Sequence, residues 1–125
     1  MARRTVSSDR IAPSVGPFSA AVWGGDFLFL SGQVALDPQS AKLIEGDVAA
    51  QTAQVFRNAG EVLAAAGKSF ADVVKTNVFL TDMANFAAMN AVYGKHFEAP
   101  YPARTTIGVA ALPLGAVVEI EFLAR

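Results

Sequence analysis

Arg104 has the side chain whose position most directly suggests chemistry in this sequence of 125 residues. It follows Pro102 closely, at the start of the predicted strand 103–109. Because side chains alternate along a strand, Arg104, Thr106 and Gly108 are expected on one face. A guanidinium group matches a carboxylate through two hydrogen bonds, which an ammonium group cannot reproduce. Arg104 is therefore predicted either to bind an anion or to form a structural ion pair at a subunit boundary.

The last predicted strand, 117–124, carries two carboxylates on one side of an otherwise apolar segment. Burying either Glu119 or Glu121 without a partner would be costly. If this strand pairs with the preceding one as a hairpin, Arg104 can lie near Glu121 and Thr106 near Glu119. Under the anion-binding interpretation, the neighbouring glutamate would hold a water molecule beside the bound acid.

The remaining polar residues give weaker signals. Gly32, between Ser31 and Gln33 at the end of a predicted strand, either lets a backbone or ligand approach closely or allows a bend. Asn90, if it lies on the sheet-facing side of a predicted helix, needs a hydrogen-bond partner there. His96 lies near the end of the same helix, where a local electrostatic role or simple exposure is the default interpretation.

The sequence lacks the residues that several classes of catalytic site require. The chain has no cysteine, so disulfides, thiolate metal sites and cysteine nucleophiles are excluded. It has one histidine, with no second histidine, serine or aspartate at the spacing of a zinc site or a hydrolase triad. Neither a metal nor a cofactor is expected.

The composition is that of a globular protein, with 53% hydrophobic and 17% charged residues. The net charge of −1 and the scattered Lys and Arg residues disfavour a nucleic-acid partner. No apolar run approaches the roughly 18 residues of a membrane span, and no secretory signal is visible, which fits a cytoplasmic protein. The high apolar content of so short a chain also indicates buried subunit interfaces.

The elements that must position these residues follow from hydrophobic periodicity and from turn and capping signals. A glycine-containing turn predicts a hairpin between the first two strands. Asp47 is the predicted N-cap of a first helix that Gly67 ends, and Thr81 or Asp82 is the predicted cap of a second. The predicted strands are 20–22, 27–31, 73–80, 103–109 and 117–124, and the second helix carries Phe86, Met89, Tyr93 and Phe97 before Pro100 and Pro102 stop it.

The resulting order, ββαβαββ, predicts a single α+β domain over residues 1–125, with two helices on one face of one sheet. The other face of the sheet stays uncovered within the subunit. Its strands are too rich in Val, Ile, Phe and Leu for a face in contact with water, so contact with other subunits is expected there.

Several short segments have a characteristic amino-acid sequence. They are Ile11-Ala12-Pro13 with Gly16-Pro17-Phe18, Phe29-Leu30-Ser31-Gly32-Gln33, the run 72–83, Phe86-Ala87-Ala88-Met89-Asn90 with Tyr93, Pro102-Ala103-Arg104, and Val118-Glu119-Ile120-Glu121. In this order, over nearly the whole chain, the sequence resembles the RidA/YjgF family, also called the L-PSP endoribonuclease family. The resemblance implies a chorismate-mutase-like α+β fold and a homotrimer with three clefts between subunits. It also implies hydrolysis of 2-imino acids, in equilibrium with their enamines, to 2-keto acids and ammonia.

The resemblance further implies a role for each matching residue. The arginine of the family's Pro-Ala-Arg motif binds the substrate carboxylate and corresponds to Arg104. The first glutamate of the final Glu-Ile-Glu motif corresponds to Glu119, which is expected to orient the attacking water. The expected pocket-lining and substrate-binding residues are Phe18, Ser31, Gly32, Asn90 and Thr106.

Three positions depart from the best-known deaminases of that family. Phe18 stands where a tyrosine is usual, Thr106 replaces a common cysteine, and Gly108 stands where a bulkier, often acidic residue can occur. Carboxylate binding is expected to survive these changes, whereas the substrate range and rate are expected to differ. The alternative hypothesis is a non-catalytic trimer that binds a small carboxylic acid. A ribonuclease is disfavoured because the sequence predicts no basic groove.

Overall fold

The computed structural model describes residues 2–125, which form one six-stranded sheet and two α-helices. The strand order across the sheet is β1-β2-β3-β6-β4-β5. Only β4 and β5 run parallel, and every other neighbouring pair is antiparallel. In chain order the elements are β1 (Arg4–Val6), β2 (Ala21–Gly24), β3 (Phe27–Leu30), α1 (Val48–Ala65), β4 (Val73–Leu80), α2 (Phe86–Tyr93), β5 (Ala103–Gly108) and β6 (Val118–Ala124).

Both helices pack on the same face of the sheet, which confirms the predicted α+β class. Phe56 of α1 contacts Phe122 of β6 with ring centroids 5.6 Å apart, and Tyr93 of α2 pairs its hydroxyl with Thr76 of β4 at 2.8 Å. Thr76 and Phe122 are directly opposite each other in the sheet. The core therefore lies between this face and the two helices.

The short strand β1 was not predicted. It pairs with β2 so that Arg4 lies opposite Trp23, and the Arg4 guanidinium is 5.3 Å from the indole centroid. Three residues are too few to show the alternation that identifies a strand in a sequence. Pairing with a hairpin that is already formed supplies the hydrogen bonds that make this segment a strand.

The first helix begins and ends where the capping signals predict. Asp47 accepts a hydrogen bond from the Ala50 N–H at 3.0 Å. At the other end Gly67 has φ +74°, and the Lys68 N–H donates to the Leu63 carbonyl at 2.8 Å. This is the Schellman arrangement, in which a glycine adopts a left-handed conformation at little steric cost.

The second helix is shorter than predicted. Asp82 accepts from the Ala84 N–H at 2.9 Å and caps a 3₁₀ turn, after which α2 runs only from Phe86 to Tyr93. Gly94 is the C-cap, and glycine is disfavoured in a helix interior. Phe97 is buried as predicted, but it lies outside the helix.

The predicted hairpin between the last two strands is wrong. Strand β4 lies between them, pairing in parallel with β5 and antiparallel with β6. The connection from β4 through α2 to β5 is a β–α–β unit, which places two parallel strands side by side. The buried, β-branched β4 therefore takes the inner position, and β5 becomes the edge.

The sheet face turned away from the helices, called the open face below, is largely apolar. Phe29 is 52% exposed and Ile107 is 45% exposed on this face. Phe79 pairs with Ile107 on one side and with Glu119 on the other, so the open face carries carboxylates beside aromatic and aliphatic side chains. The prediction of an uncovered apolar face within the subunit is confirmed.

Candidate active site

Arg104 lies on the helix side of the edge strand β5, packed against α2. Its Nη1 donates to the Asn90 side-chain oxygen at 2.7 Å. Its guanidinium carbon is 4.6 Å from the centroid of the Tyr93 ring and 5.5 Å from that of Phe86. Cation–π contacts of this kind attract a guanidinium to the face of the ring. One amide and two rings therefore orient the Arg104 side chain.

No carboxylate within residues 2–125 forms an ion pair with Arg104. A structural ion pair with Arg104 is therefore not formed among the described residues of one chain. Asn90 occupies one N–H of a group that has five. This leaves donors with which the guanidinium can hold an external anion.

Thr106 lies two residues further along the same face of β5, as the alternation predicted. Its hydroxyl oxygen is buried and has no hydrogen-bond partner within residues 2–125. A buried polar group without a partner costs about 1–3 kcal/mol. Thr106 therefore leaves an unpaired hydroxyl on the face that carries Arg104, enclosed by protein atoms.

Glu119 lies on the open face of β6, packed closely against Gly32. A Cβ atom placed on Gly32 would lie 2.9 Å from the Glu119 carboxyl carbon, so a larger residue could not occupy that position without displacing the carboxylate. Two backbone hydrogen bonds between Gln33 and Ile120, of 2.8 and 3.1 Å, hold the two segments together. Gly32 therefore permits a close approach, which was one of the two predicted interpretations.

The environment of Glu119 makes its carboxyl more basic than usual. Burial raises the pKa of Glu119 because the charged form is desolvated, and the neighbouring charge of Glu121 raises it further. Glu121 accepts a hydrogen bond from the Asn77 amide at 2.8 Å. Of the two carboxylates, Glu119 is the better placed to exchange a proton.

Arg104 and Glu119 lie on opposite faces of the sheet. Arg104 is opposite Thr76 in β4, whose hydroxyl contacts the helix layer, whereas Glu119 is opposite Phe79, three residues later on the other face. The predicted proximity of Arg104 to Glu121 and of Thr106 to Glu119 is therefore wrong. Alternation within each strand was correct, but the intervening strand separates the two pairs.

A cavity of about 300 Å³ lies beside Glu119. Phe18 and Gly32, both predicted to line the pocket, line this cavity with Glu119, together with apolar side chains from the loop before β2. Ser31 does not line this cavity, and its hydroxyl donates to the Ser19 carbonyl at 2.6 Å. The predicted site residues thus form two groups, one around Arg104 and one around Glu119.

Tyr93 and Phe86 were not predicted as partners of Arg104. Helical spacing alone placed both on the second predicted helix. Residues three or four positions apart lie on the same helix face, so Asn90 shares its face with Phe86 and Tyr93. This shared helix face was the signal available in the sequence. It indicates contact with Arg104 only once the position of β5 is known.

The lone histidine is remote from both groups. His96 lies beyond the end of α2, and its ring stacks on Phe56 with centroids 4.2 Å apart and planes 4° apart. Burial lowers the pKa of His96, and the positive charge of Arg57 lowers it further. Within residues 2–125, no group of three or more His, Asp or Glu side chains is arranged to hold a metal ion.

Comparison with known proteins bears on what this arrangement does. A model of the family described as Endoribonuclease L-PSP matches residues 9–125. The chain belongs to this family, the RidA/YjgF family. The membership of this family that the sequence motifs indicated is therefore confirmed.

RidA-family relatives are similar to the chain over its whole length. Protein DfrA of Myxococcus xanthus is 46% identical over 99% of this chain and 96% of its own. The human 2-iminobutanoate/2-iminopropanoate deaminase is 42% identical over 98% of this chain and 89% of its own. A crystal structure of RidA from an Antarctic Psychrobacter bacterium has a TM-score of 0.93 and 46% identity, covering 98% of this chain and 99% of that one. These likenesses support a deaminase of the RidA kind on this fold.

No helix within residues 2–125 is long and apolar enough to cross a membrane.

Proposed function

We propose that the protein hydrolyses 2-imino acids and their enamine tautomers to 2-keto acids and ammonia, in clefts between the subunits of a homotrimer. One observation carries the proposal: the Arg104 guanidinium is held by Asn90 and by aromatic rings, with no carboxylate partner within residues 2–125. The similarity to the human 2-iminobutanoate/2-iminopropanoate deaminase supports the same reaction class.

In this proposal Arg104 binds the substrate carboxylate through two parallel hydrogen bonds. The Asn90 oxygen holds the guanidinium plane at 2.7 Å, so little side-chain freedom is lost when the substrate binds. These contacts position the imine carbon without taking part in bond making.

Glu119 assists the water that attacks. The imine carbon is already electrophilic, so the main requirements are a placed water and proton transfer. Water adds across the C=N bond, with its oxygen bonding to carbon and its proton passing to Glu119. The protonated carboxyl returns that proton to the imine nitrogen, which gives a carbinolamine. Glu119 then accepts the carbinolamine hydroxyl proton and passes it to the amine nitrogen, so that the C–N bond breaks, ammonia leaves and the C–O group becomes the 2-keto carbonyl. A raised pKa suits a carboxyl group that must both accept and donate.

The placement of Arg104 and Glu119 on opposite faces supports a site built from two chains. One substrate molecule cannot contact both groups of a single chain through the sheet. If Arg104 of one subunit faces Glu119 of the next, three copies related by a threefold axis form three equivalent clefts. The apolar open face, with Phe29 and Ile107 exposed, supports burial against other copies.

Arg104→Ala is expected to lower kcat/KM for imine hydrolysis by roughly 100-fold or more, because charge-assisted hydrogen bonds contribute about 1.5–3 kcal/mol each. An amino-acid oxidase generates the imine, semicarbazide traps it, and an active deaminase lowers semicarbazone formation. Arg57→Ala, an exposed arginine on α1, is the matched control and should keep full activity. Wild-type activity in the Arg104 variant would exclude carboxylate binding by this residue.

Mixing subunits tests the composite site directly. Arg104→Ala and Glu119→Gln homotrimers are each expected to be inactive. Unfolding and refolding them together should restore part of the activity, because some clefts then combine an intact Arg104 with an intact Glu119. No restoration would contradict a site shared between chains. Binding of 2-keto acids without hydrolysis of any imine by the wild type would indicate a non-catalytic carboxylate-binding trimer instead.

A further inference from the structure

The cavity beside Glu119 gathers exposed apolar side chains. Val15 is 83% exposed, Leu114 is 63% exposed and Phe18 is 55% exposed, and all three line this one cavity. Single large apolar side chains are common on protein surfaces. A contiguous group of them beside a polar functional residue indicates a surface that binds an apolar group. The cavity is thus suited to an apolar group next to the reacting atoms.

The cavity has few lining groups that could bind a charged or strongly polar part of a ligand. Glu119 is the only ionisable side chain among its lining residues, and no Lys or Arg lines it. The Asn58 amide already donates to the Leu36 carbonyl at 2.9 Å, and its oxygen accepts from Gln54 at 2.9 Å. An acidic substrate side chain here would lie beside the Glu119 carboxylate, and no lining residue within 2–125 supplies it with a cation.

Leu114 has an unusual backbone for a leucine. It has φ 62° and ψ 16°, between Pro113 and Gly115, in the left-handed region that glycine and asparagine tolerate best. Strained non-glycine residues are over-represented at active sites and ligand sites, where the surrounding structure holds them in place. Here the side chain projects at the cavity and remains largely exposed.

We infer that this cavity receives the substrate side chain and selects 2-imino acids with a branched or extended apolar side chain, with Leu114 and Val15 as specificity-determining residues. The inference rests on the proposed imine hydrolysis. A volume of about 300 Å³ is at the lower bound of small-molecule sites and leaves room well beyond a methyl group. The preferred imines are therefore those derived from leucine-like or methionine-like amino acids, and the disfavoured ones carry a carboxylate in the side chain.

The test compares kcat/KM for imines derived from alanine, leucine and glutamate, each generated by a suitable amino-acid oxidase. The wild type is expected to prefer the leucine imine over the alanine imine by roughly tenfold or more, and to hydrolyse the glutamate imine worst. Leu114→Asn, which tolerates the same backbone conformation, should lower the leucine-to-alanine ratio by roughly fivefold or more. Ala41→Asn is the matched control, because Ala41 also has a positive φ, 59°, but does not line the cavity.

Four outcomes separate the possibilities. A wild type that prefers alanine or glutamate imines, or an unchanged ratio in Leu114→Asn, overturns the inference and leaves imine hydrolysis standing. Loss of the trimer in Leu114→Asn, seen by light scattering, also overturns it, because the side chain then serves a subunit contact. Absence of hydrolysis of every imine by the wild type overturns the proposed function. In that case calorimetric binding of 2-keto acids with isobutyl or methyl side chains still decides whether the cavity selects apolar groups, and equal affinities would reject the selection.

Discussion

The Arg104 guanidinium is held in place by neutral groups within residues 2–125. The guanidinium lies over Tyr93, whose hydroxyl is in turn held by Thr76 at 2.8 Å, so the supporting ring is itself fixed. Asn90 supplies an acceptor that carries no charge. A carboxylate in place of Asn90 would neutralise the arginine and compete with the substrate. The neutral partner keeps the positive charge available for a bound acid.

Glu119 is expected to set the acidic limb of the pH profile. Its pKa is raised by burial and by Glu121, so kcat/KM should fall on acidification at a higher pH than for an ordinary carboxyl, as the catalytic carboxylate becomes protonated. Because the folded state holds this proton more tightly than the unfolded state, ionisation of Glu119 destabilises the fold as pH rises through the raised pKa. Glu119→Gln should therefore raise the melting temperature relative to the wild type at neutral pH and lose that advantage in acid.

The measurement is thermal unfolding of both proteins between acidic and neutral pH, at fixed protein concentration. Asp72→Asn, a carboxylate near the start of β4 and away from the cavity, is the control and should not reproduce this pH dependence. A melting-temperature difference between Glu119→Gln and the wild type that is independent of pH would contradict the prediction.

At the scale of elements, the β4–α2–β5 unit places the site. The parallel pairing of β4 and β5 sets Thr76 opposite Arg104, and α2 crosses above them to bring Asn90 and Tyr93 onto the guanidinium. Strand β5 is an edge strand, so the ligand can approach Arg104 without displacing a neighbouring strand. Because α2 ends at Tyr93, the following segment can turn back toward β5.

The first helix depends on its N-cap. Asp47→Ala removes the acceptor for the Ala50 N–H and is expected to lower the free energy of unfolding by about 1 kcal/mol. Asp47→Asn keeps a capping side chain and should retain most of the stability. Urea unfolding followed by circular dichroism, at one protein concentration, compares the three proteins. Equal midpoints for Asp47→Ala and the wild type would show that α1 does not need this cap.

At the scale of the whole molecule, the helices cover one sheet face and leave the other apolar. The open face presents Phe29 and Ile107 to solvent in the isolated chain, beside the Glu119 carboxylate. An apolar face of this kind is normally covered in the functional protein. Covering it with further copies would also shield Glu119 from bulk solvent, which connects assembly to catalysis.

Ile107→Lys is expected to weaken the proposed trimer by placing a charge in its buried interface. Light scattering should show a smaller species, while circular dichroism retains the helical signal because the side chain does not contribute to the core. Imine hydrolysis should fall with the loss of assembly. Arg57→Glu, a charge reversal on the exposed surface of α1, is the control and should remain trimeric. A monomeric wild type would refute the proposed assembly outright.

Local sequence signals predicted much of the fold and the strand face on which each candidate site residue lies. Asp47 and Gly67 marked the ends of α1 because capping depends only on adjacent residues. Alternation correctly put Arg104 with Thr106, and Glu119 with Glu121, because side-chain direction along a strand is a property of that strand alone. The short strand β1 and the early end of α2 were missed, since both depend on packing against elements distant in the sequence.

By itself, then, the sequence determined which residues are available for chemistry and which face of its own strand each occupies. Only the tertiary structure decided that β4 separates β5 from β6, and hence that Arg104 and Glu119 lie on opposite sides of the sheet. Strand order depends on the crossover through α2 and on which strand buries both faces, and no short-range pattern encodes either. The same separation is the physical reason to expect a site completed by a second chain.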